Sequence, residues 1–310
     1  MAGTISVEHR DRVLLATLAN PPHGLMDDSI VAELEALVAR ADADPGIGGV
    51  VLTGAHPSRF LAHYDVGELL EVAKESPSVA PGLAKPLLRA AGAVRRVPRA
   101  AEALENTPVA GLVALERFHA VLLGMERSSA VWIAALNGSA QGGGCELSLA
   151  CDFRFMAAGD HRIGQPEILF GFPPGGGGTQ RLTRMLGTTR ALRLILDGGP
   201  LSPDEAAELG IVDRVVDSGE LLDAALAEAQ RLGSRPKLAI GAAKRAVYEG
   251  GSLPLPDGLR LERAEFLATL PTPDAIAAMQ AYVDATERTG ELPGYDAEAR
   301  AAALERGHFA

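Results

Sequence analysis

The chain has 310 residues, of which 47% are apolar and 22% are charged, a composition typical of a globular protein. Its 29 Lys and Arg residues against 40 Asp and Glu residues give a formal net charge of −11, which disfavours non-specific binding to nucleic acid or to an anionic membrane. The two cysteines, Cys145 and Cys151, form neither a CxxC pair nor a disulfide framework, and no apolar segment is long enough to span a bilayer. We therefore expect a cytoplasmic protein with reduced thiols, no nucleic-acid partner and no membrane association.

Strands and helices alternate along the first two-thirds of the chain. Short aliphatic and β-branched segments predict buried strands at residues 12–18, 48–54, 130–138 and 153–158. Ser29 is expected to cap the helix between the first two strands, and Ser202 and Glu205 have the spacing of a capping box for a later helix. Buried strands separated by helices predict an α/β fold with covered sheets.

Two parts of the chain depart from this alternation. Residues 71–111 are rich in Ala, Pro and Arg and have no strand pattern, which predicts a helical or mobile insertion. From about residue 236 the pattern is helical and is interrupted by prolines. We therefore predict an α/β core over residues 1–235, which contains the insertion, and a helical region over residues 236–310.

Two glycine-rich segments each precede a helix and lie close to one glutamate. The segment GSAQGGGCEL contains Glu146, and the segment GQPEILFGFPPGGGGTQRL places Glu167 beside apolar residues. Glycines let the main chain approach a ligand closely, and the N–H groups of a helix N-terminus stabilise an oxygen that becomes negative during a reaction. Neither segment has the spacing of a Rossmann loop or a P-loop. The pattern favours paired acid–base chemistry, although close helix–strand packing with solvent-facing glutamates would also explain it.

The segments AALNGSAQGGGCELSLACDFRFMA and IGQPEILFGFPPGGGGTQRLTRMLG resemble the crotonase superfamily, which contains the enoyl-CoA hydratases and isomerases. LTGAHPSRFLAHYDVGELL is similar to the family's loop after an early strand, and ALRLILDGGPLSPDEAAELGIVDRVV is similar to its later helix–strand unit. The resemblance covers roughly residues 13–282. It implies a crotonase-like spiral of β-β-α units with two stacked sheets, followed by a C-terminal helical region.

The resemblance also implies roles for individual residues. The backbone N–H groups of Tyr64 and Gly143 would form an oxyanion hole for the thioester carbonyl of the substrate. Glu146 would act as a base toward a water molecule, and Glu167 would deliver a proton to the α-carbon. The other positions that would line the substrate are Ala62, His63, Asp65, Gly142 and Gly175.

The sequence differs from the usual family pattern in the oxyanion loop, which commonly reads Gly-Ala-Asp or Gly-Gly-Asp and here reads His63-Tyr64-Asp65. The two large side chains could narrow the acyl pocket, take part in the chemistry, or simply pack elsewhere. Basic residues that hold CoA in this family are also fewer here. Arg59 could substitute for them, as could the arginines of the insertion, namely Arg89, Arg95, Arg96 and Arg99.

We therefore predict an enoyl-CoA hydratase that adds water with syn geometry to a trans-2-enoyl-CoA. It would use no metal and no cofactor other than the CoA of its substrate, and the resemblance implies a homotrimer or a dimer of trimers. An enoyl-CoA isomerase, or an enzyme that cleaves a C–C or thioester bond with help from His63 or Tyr64, would use the same enolate stabilisation. The non-enzyme alternatives are an inactive scaffold and a nucleic-acid-binding protein, which the glutamate pair and the acidic charge disfavour.

Overall fold

The structure is a computed structural model that describes residues 2–75, 80–95 and 110–310. Its strands are β1 Thr4–Arg10, β2 Val13–Ala19, β3 Gly49–Gly54, β4 Arg59–Leu61, β5 Val131–Leu136, β6 Ser139–Gln141, β7 Phe153–Ala157, β8 Ile163–Gly164 and β9 Arg214–Val216. The larger sheet has the order β1-β2-β3-β5-β7-β9, and only its β1–β2 pair is antiparallel. The smaller sheet has the order β4-β6-β8 and is parallel throughout.

Helices connect the strands and make up the described chain after β9. They are α1 Asp28–Ala43, α2 Val66–Glu75, α3 Pro81–Arg95, α4 Ala110–Arg127, α5 Gly143–Ala150, α6 Gly178–Leu186, α7 Thr188–Asp197, α8 Pro203–Glu208, α9 Leu221–Gly233, α10 Lys237–Tyr248, α11 Leu255–Thr269, α12 Pro273–Thr289 and α13 Ala297–Arg306. Two short 3₁₀ helices are Glu167–Phe170 and Gly250–Ser252.

Side chains alternate between the two faces of the larger sheet, and its strands β2, β3, β5 and β7 are buried on both faces. Leu14, Val50 and Trp132 point to one face, where they pack with residues of α1, α4, α5 and the smaller sheet. Val13 and Val51 point to the opposite face, which is covered by α9. Continuous aliphatic runs in the sequence therefore correspond to strands with no solvent-exposed face.

Most of the local predictions are confirmed. The four predicted strands are present as β2, β3, β5 and β7. Ser202 and Glu205 form a complete capping box at the start of α8. The predicted cap at Ser29 is wrong, because Asp27 caps α1 by accepting a hydrogen bond from the Ile30 N–H (3.0 Å). Helix α1 begins at Asp28, so Ser29 already lies in its first turn, and the Ser29 hydroxyl donates to the Asp27 carboxylate (2.6 Å).

The predicted insertion over residues 71–111 includes the end of α2, the whole of α3 and the first residues of α4. Helix α3 packs against α4. Residues 76–79 and 96–109 lie outside the described residues. The boundary that we predict between residues 235 and 236 falls between α9 and α10, and the division of the chain into two regions stays a prediction.

The smaller sheet brings three separated segments of the chain together. Its strands are parallel, so their carboxyl ends lie at the same edge, and each strand is followed by one segment that contains predicted site residues. Residues 62–65 follow β4, residues 142–146 follow β6 and residues 165–167 follow β8. Ligand sites in α/β proteins commonly lie beyond the carboxyl ends of parallel strands, so this edge is where a site is expected.

Candidate active site

The loop of residues 62–65 is held by backbone hydrogen bonds to the segment that precedes α1. The Met26 N–H donates to the His63 carbonyl (3.1 Å), and the Asp65 N–H donates to the Met26 carbonyl (3.0 Å). This pattern leaves out the N–H of Tyr64, which donates no hydrogen bond within the described part of the chain. The Tyr64 N–H is therefore available to a ligand.

Gly142 and Gly143 turn the chain from β6 into α5 beside this loop. Gly142 has a φ of +54°, which favours glycine, and a Cβ atom on Gly144 would lie 2.0 Å from the Leu61 carbonyl oxygen. A Cβ atom on Gly143 would lie 3.5 Å from the Tyr64 nitrogen, so the two main-chain segments are in contact. Among the described residues, no acceptor is bonded to the Gly143 N–H either. Two adjacent N–H groups are thus without a partner from the described chain.

Glu146 lies in the first turn of α5 and is only 3% exposed. Its Oε1 accepts hydrogen bonds from the N–H groups of Gly176 (2.7 Å) and Gly178 (2.9 Å). Burial raises the pKa of Glu146 to about 7, the charge of Glu167 adds to the rise, and the two N–H groups and Arg181 oppose it. A carboxyl group with this pKa can gain or lose a proton near neutral pH.

Glu167 begins the 3₁₀ helix after β8 and lies on the other side of the glycine turn. A Cβ atom on Gly142 would lie 3.1 Å from Glu167 Oε1 and 2.9 Å from the Cβ atom of His63. With its amide nitrogen toward the carboxylate, Gln165 donates to the two Glu167 oxygens at 2.8 and 3.0 Å. Burial raises the pKa of Glu167, whereas its own backbone N–H and His63 counteract the rise. Both glutamates therefore bind a proton more strongly than an exposed carboxylate does.

The glycine loop of residues 175–178 is fixed by side chains from α4 and α6. His119 on α4 donates from Nε2 to the first carbonyl of the loop (2.7 Å). Arg181 on α6 donates to the second carbonyl (3.1 Å) and to Glu126 on α4 (2.7 Å), in an ion pair whose two side chains are 12% and 13% exposed. The ring of Phe118 also lies against this loop, because a Cβ atom on Gly176 would lie 2.4 Å from the Phe118 Cε1 atom. The N–H donors of the loop are therefore held in fixed positions.

The side chains of His63 and Tyr64 point in different directions. The Tyr64 hydroxyl donates to the Asp28 carboxylate at the start of α1, and its ring packs edge-on against Phe118 with centroids 6.4 Å apart. Burial and this contact with Asp28 raise the pKa of Tyr64, so its hydroxyl stays protonated. The Nδ1 atom of His63 is 2.8 Å from the Tyr64 carbonyl oxygen. Tyr64 is therefore a packing residue of the loop, whereas His63 stays beside Glu167.

The remaining predicted positions have different surroundings. The Ala62 carbonyl accepts from the Gly144 N–H (3.1 Å) and so joins the loop to α5. Asp65 turns its carboxylate away toward α2, where it accepts from the Gly67 N–H (2.7 Å). Gly175 is exposed at the start of the glycine loop. The structure thus gathers the two predicted N–H donors and both glutamates, but it commits the side chain of Asp65 to a helix N-terminus.

Sequence reasoning missed several residues of the site. Gln165 stands two positions before Glu167 in the segment GQPEILF. A polar amide so close in sequence to the candidate glutamate was a signal that could have found it. Phe118, His119 and Arg181 have no such signal, because their partners are distant in the chain and are defined only by the packing of α4 and α6. Phe118, His119 and Arg181 could therefore not be assigned to the site from spacing alone.

Two negative findings concern the described residues. Over residues 2–75, 80–95 and 110–310, no cluster of three or more His, Cys, Asp or Glu side chains is arranged to hold a metal ion. Within the same ranges, every helix is too short or too polar to cross a membrane. Both cysteines are free thiols and are buried, and burial raises the pKa of Cys145, which disfavours a thiolate nucleophile.

Comparison with known proteins identifies the family. A family model described as enoyl-CoA hydratase/isomerase matches residues 104–289. A probable enoyl-CoA hydratase of Rhizobium meliloti is 34% identical over 286 residues, which cover 90% of this chain and 95% of that protein. A short-chain-enoyl-CoA hydratase of Clostridium acetobutylicum is 30% identical, with coverage of 90% and 94%. The chain therefore belongs to the enoyl-CoA hydratase/isomerase family, and it is an enzyme of the crotonase superfamily.

Solved structures agree with this assignment. The enoyl-CoA hydratase structure from Geobacillus kaustophilus has a TM-score of 0.73 and 26% identity, over 91% of this chain and 96% of that one. The enoyl-CoA hydratase structure from Bacillus anthracis has a TM-score of 0.72 and 28% identity, with the same coverage. The predicted crotonase-like α/β fold with C-terminal helices is thereby confirmed.

Proposed function

We propose that this enzyme is an enoyl-CoA hydratase that adds water with syn geometry across the double bond of a trans-2-enoyl-CoA. The observation that carries the proposal is that two N–H groups, which have no acceptor among the described residues, lie with two carboxyl groups at one edge of the smaller sheet. The activity printed for the relatives and structural neighbours supports the same chemistry. Water addition to a conjugated thioester needs one group to stabilise the enolate and others to move protons.

The N–H groups of Tyr64 and Gly143 would bind the thioester carbonyl oxygen of the substrate. Attack of water at the β-carbon moves negative charge onto this oxygen, and two preorganised donors stabilise that charge more in the transition state than in the substrate. One donor of this kind is typically worth about 10²–10³ in rate. The contact between Gly143 and the Tyr64 nitrogen supports this role. The neighbouring Gly144 has no room for a Cβ atom, because that atom would overlap the Leu61 carbonyl oxygen.

Glu146 and Glu167 would act together on the water molecule. In the assignment implied by the resemblance, Glu146 accepts a proton from the water and Glu167 delivers a proton to the α-carbon. The charge of Glu167 raises the cost of ionising Glu146, and burial raises the pKa of both carboxyl groups, so we expect the pair to share one proton near neutral pH. A singly protonated pair contains both the base and the acid that the reaction needs.

An enoyl-CoA isomerase is the alternative with the same enolate stabilisation. It needs a proton shuttle but no water, and one carboxyl group suffices for it. The presence of two carboxyl groups with raised pKa values at one site favours the hydratase. Tyr64 adds no support for a bond-cleaving enzyme, because its hydroxyl is engaged by Asp28.

The CoA part of the substrate requires cationic partners for its phosphates, and no other cofactor is proposed. Arg59 is the first residue of β4, which leads into the loop of residues 62–65. Its guanidinium donates to the His23 carbonyl (3.1 Å) and contacts His56 Nε2 (3.1 Å). We assign Arg59 to phosphate binding, since guanidinium groups bind phosphate oxygens with charge-assisted hydrogen bonds. Of the four arginines that we named in the insertion, Arg96 and Arg99 lie outside the described residues.

The assembly proposed for this enzyme is a homotrimer or a dimer of trimers, in the cytoplasm. Its C-terminal helices expose large apolar side chains that a single chain leaves uncovered, and a second copy would bury them. These side chains are Leu255, Leu259, Phe266, Leu267, Ile276 and Met279. Light scattering coupled to size exclusion should give three or six times the mass of one chain, and a monomeric mass at micromolar concentration would contradict the proposal.

The hydratase is tested with crotonyl-CoA, whose conjugated enoyl-thioester absorbance disappears when water adds. We expect rapid loss of absorbance with the wild-type enzyme and a 3-hydroxyacyl thioester as the product. Glu146→Gln and Glu167→Gln should each lower the rate by about 10²–10⁴, because each removes one proton-transfer group. Glu8→Gln, at an exposed position on β1, serves as the matched control and should leave the rate unchanged. Wild-type rates in both glutamine variants would rule out the proposed pair.

A further inference from the structure

The side chain of Tyr64 connects the proposed oxyanion hole to α4. The backbone N–H of this residue is the proposed donor to the thioester oxygen, and its hydroxyl donates to the Asp28 carboxylate at the start of α1. Between these two points its ring packs edge-on against Phe118 of α4, with centroids 6.4 Å apart. The two rings therefore form one aromatic surface that begins beside the position of the substrate carbonyl.

Phe118 extends this surface to the carboxyl group of Glu146. A Cβ atom on Gly176 would lie 2.3 Å from Glu146 Oε2 and 2.4 Å from Phe118 Cε1, so the carboxyl oxygen and the edge of the ring are neighbours. The other oxygen, Oε1, accepts hydrogen bonds from two N–H groups of the glycine loop. Oε2 accepts none from the described residues, so it is the oxygen that remains for the reacting water.

The positions of the reacting groups determine where the acyl chain begins. The thioester oxygen lies at the N–H groups of Tyr64 and Gly143 in the proposed reaction. The β-carbon must lie close to a water molecule on Glu146 Oε2, because bond formation needs reacting atoms about 3–3.5 Å apart. The carbons that follow the β-carbon therefore start beside the surface of Tyr64 and Phe118.

The packing around the two rings holds them in place. Phe118 is 4% exposed and belongs to the main core cluster. The next residue, His119, donates from Nε2 to the Gly175 carbonyl (2.7 Å) and so fixes α4 against the glycine loop. The hydroxyl of Tyr64 is bound to α1, and the residues on either side of it are bonded to the main chain of Met26. A longer acyl chain would thus have to displace closely packed side chains.

We propose that Tyr64 and Phe118 form an aromatic wall that ends the acyl pocket shortly beyond the β-carbon and restricts the enzyme to short-chain enoyl thioesters. Both are specificity-determining residues, and neither side chain transfers a proton. The effect on hydration rests on the proposed function, whereas the effect on binding needs only a thioester carbonyl at the two N–H groups.

The wall is tested with the CoA thioesters of crotonic acid and trans-2-octenoic acid. A methylene that a pocket cannot accommodate lowers kcat/KM by about 10–200-fold, so kcat/KM of the wild type should be at least about tenfold lower for octenoyl-CoA. Tyr64→Ala, which keeps the backbone N–H, and Phe118→Leu should each raise the octenoyl-to-crotonyl ratio of kcat/KM by about tenfold or more. The ratio is measured within one preparation, so partial unfolding of a variant does not change it.

Phe155→Leu is the matched control for the loss of a buried ring. Phe155 is 3% exposed, close to the value for Phe118, but it packs in the cluster on the opposite face of the larger sheet. This variant should keep the wild-type ratio. The wall would be overturned if Tyr64→Ala or Phe118→Leu kept the wild-type ratio, or if Phe155→Leu raised it equally.

Calorimetric titration with butyryl-CoA and octanoyl-CoA separates the wall from the proposed reaction, because these saturated thioesters bind without being hydrated. The wild type should bind butyryl-CoA at least about tenfold more tightly, and Tyr64→Ala should remove that preference. This result, combined with failure to hydrate any enoyl-CoA, would reject the hydratase and leave the wall standing. Equal affinity of the wild type for the two thioesters would reject the wall, whatever the rate of crotonyl-CoA hydration.

Discussion

Glu146 places a carboxyl group that we propose to exchange a proton in a buried position. Its carboxylate has two backbone donors, yet desolvation dominates and keeps the pKa at about 7. A carboxylic acid with a pKa close to the working pH is efficient both as an acid and as a base. Burial in this site therefore adjusts the chemistry of a residue whose exposed form would be fully ionised at neutral pH.

The rate of hydration should depend on the last proton of the glutamate pair. That proton leaves with a pKa of about 7, after which the pair has no acid to supply the α-carbon. We expect kcat/KM for crotonyl-CoA to fall about tenfold for each pH unit well above this value. The measurement is a pH profile in buffers of constant ionic strength, and a profile that stays flat to pH 9 would contradict a shared catalytic proton.

The stability of the protein should also depend on Glu146. Because folding raises its pKa from the ordinary value of 4.5 to about 7, burial of the neutral acid stabilises the fold fully below pH 4.5, and this contribution is lost as pH rises through about 7. Glu146→Gln keeps a carbonyl acceptor for the two loop N–H groups and carries no charge. Its Tm should exceed that of wild type by a few degrees, on the order of 3 °C, at pH 8.5 and should match it at pH 5.

Differential scanning calorimetry at the two pH values measures this difference. Glu8→Gln provides the control, because Glu8 is exposed and forms only a surface pair with Arg10. An equal Tm for Glu146→Gln and wild type at alkaline pH would mean that the buried carboxylate is compensated by its donors. The same variant would then lose activity without any gain in stability.

At the scale of elements, α4 holds the glycine loop that positions Glu146. It supplies His119 to one carbonyl of the loop and Glu126 to the Arg181 guanidinium that bonds the next carbonyl. The side chains of this ion pair are almost fully buried, so the pair is protected from solvent and from salt. Helix α4 also follows the predicted insertion, so the insertion leads directly into an element that supports the site.

Replacement of Arg181 should therefore impair catalysis from outside the reacting groups. Arg181→Met removes the bond to the loop carbonyl and leaves Glu126 buried without its partner, and we expect a loss of about 10–100-fold in kcat. The missing positive charge should also raise the pKa of Glu146, which moves the alkaline limb of the pH profile to higher pH.

Arg184→Met is the control for this substitution, because Arg184 lies one turn later on α6 and its bonds to Ser252 and Gln180 are exposed. It should leave both kcat and the pH limb unchanged. If Arg181→Met had the rate and pH profile of wild type, the loop would hold its geometry without the α4–α6 ion pair.

At the scale of the whole molecule, one buried lysine joins the C-terminal helices to the core. Lys244 on α10 is 8% exposed, and its Nζ donates to the carbonyls of Met125 (2.9 Å) and Ala130 (2.8 Å) and to the Asp152 carboxylate (2.7 Å). Tyr248 donates to the other oxygen of the same carboxylate (2.9 Å). The end of α4, the start of β5 and the turn before β7 are thereby all linked to α10.

Lys244→Met should destabilise the protein strongly. The substitution removes the cationic partner of a buried carboxylate and one donor from each of two carbonyls, and loss of one partner of a buried ion pair costs about 3–5 kcal/mol. Lys74→Met is the control. Lys74 forms an ion pair of the same length (2.7 Å) with Glu71, and both side chains of that pair are exposed. Denaturant unfolding should show a clear loss for the first variant and almost none for the second; equal midpoints would remove the proposed link.

The sequence alone predicted the fold class, which is confirmed, and the glutamate pair, whose catalytic role stays a proposal. Alternating buried strands and helices, the capping box at Ser202 and the two glycine-rich segments are local patterns, and each depends on residues that are close in the chain. Local patterns of this kind are readable because backbone geometry and side-chain periodicity act over a few residues. The cap of α1 was misplaced because Asp27 and Ser29 are both good caps, and only the backbone direction selects between them.

The tertiary structure decided what surrounds the pair. The parallel strands β4, β6 and β8 bring residues 62–65, 142–146 and 165–167 to one edge, where the described part of the chain provides no acceptor for two N–H groups. The packing of α4 and α6 added the clamp on the glycine loop. Burial then fixed the pKa of Glu146, because desolvation depends on every atom around a carboxyl group and not on its neighbours in sequence.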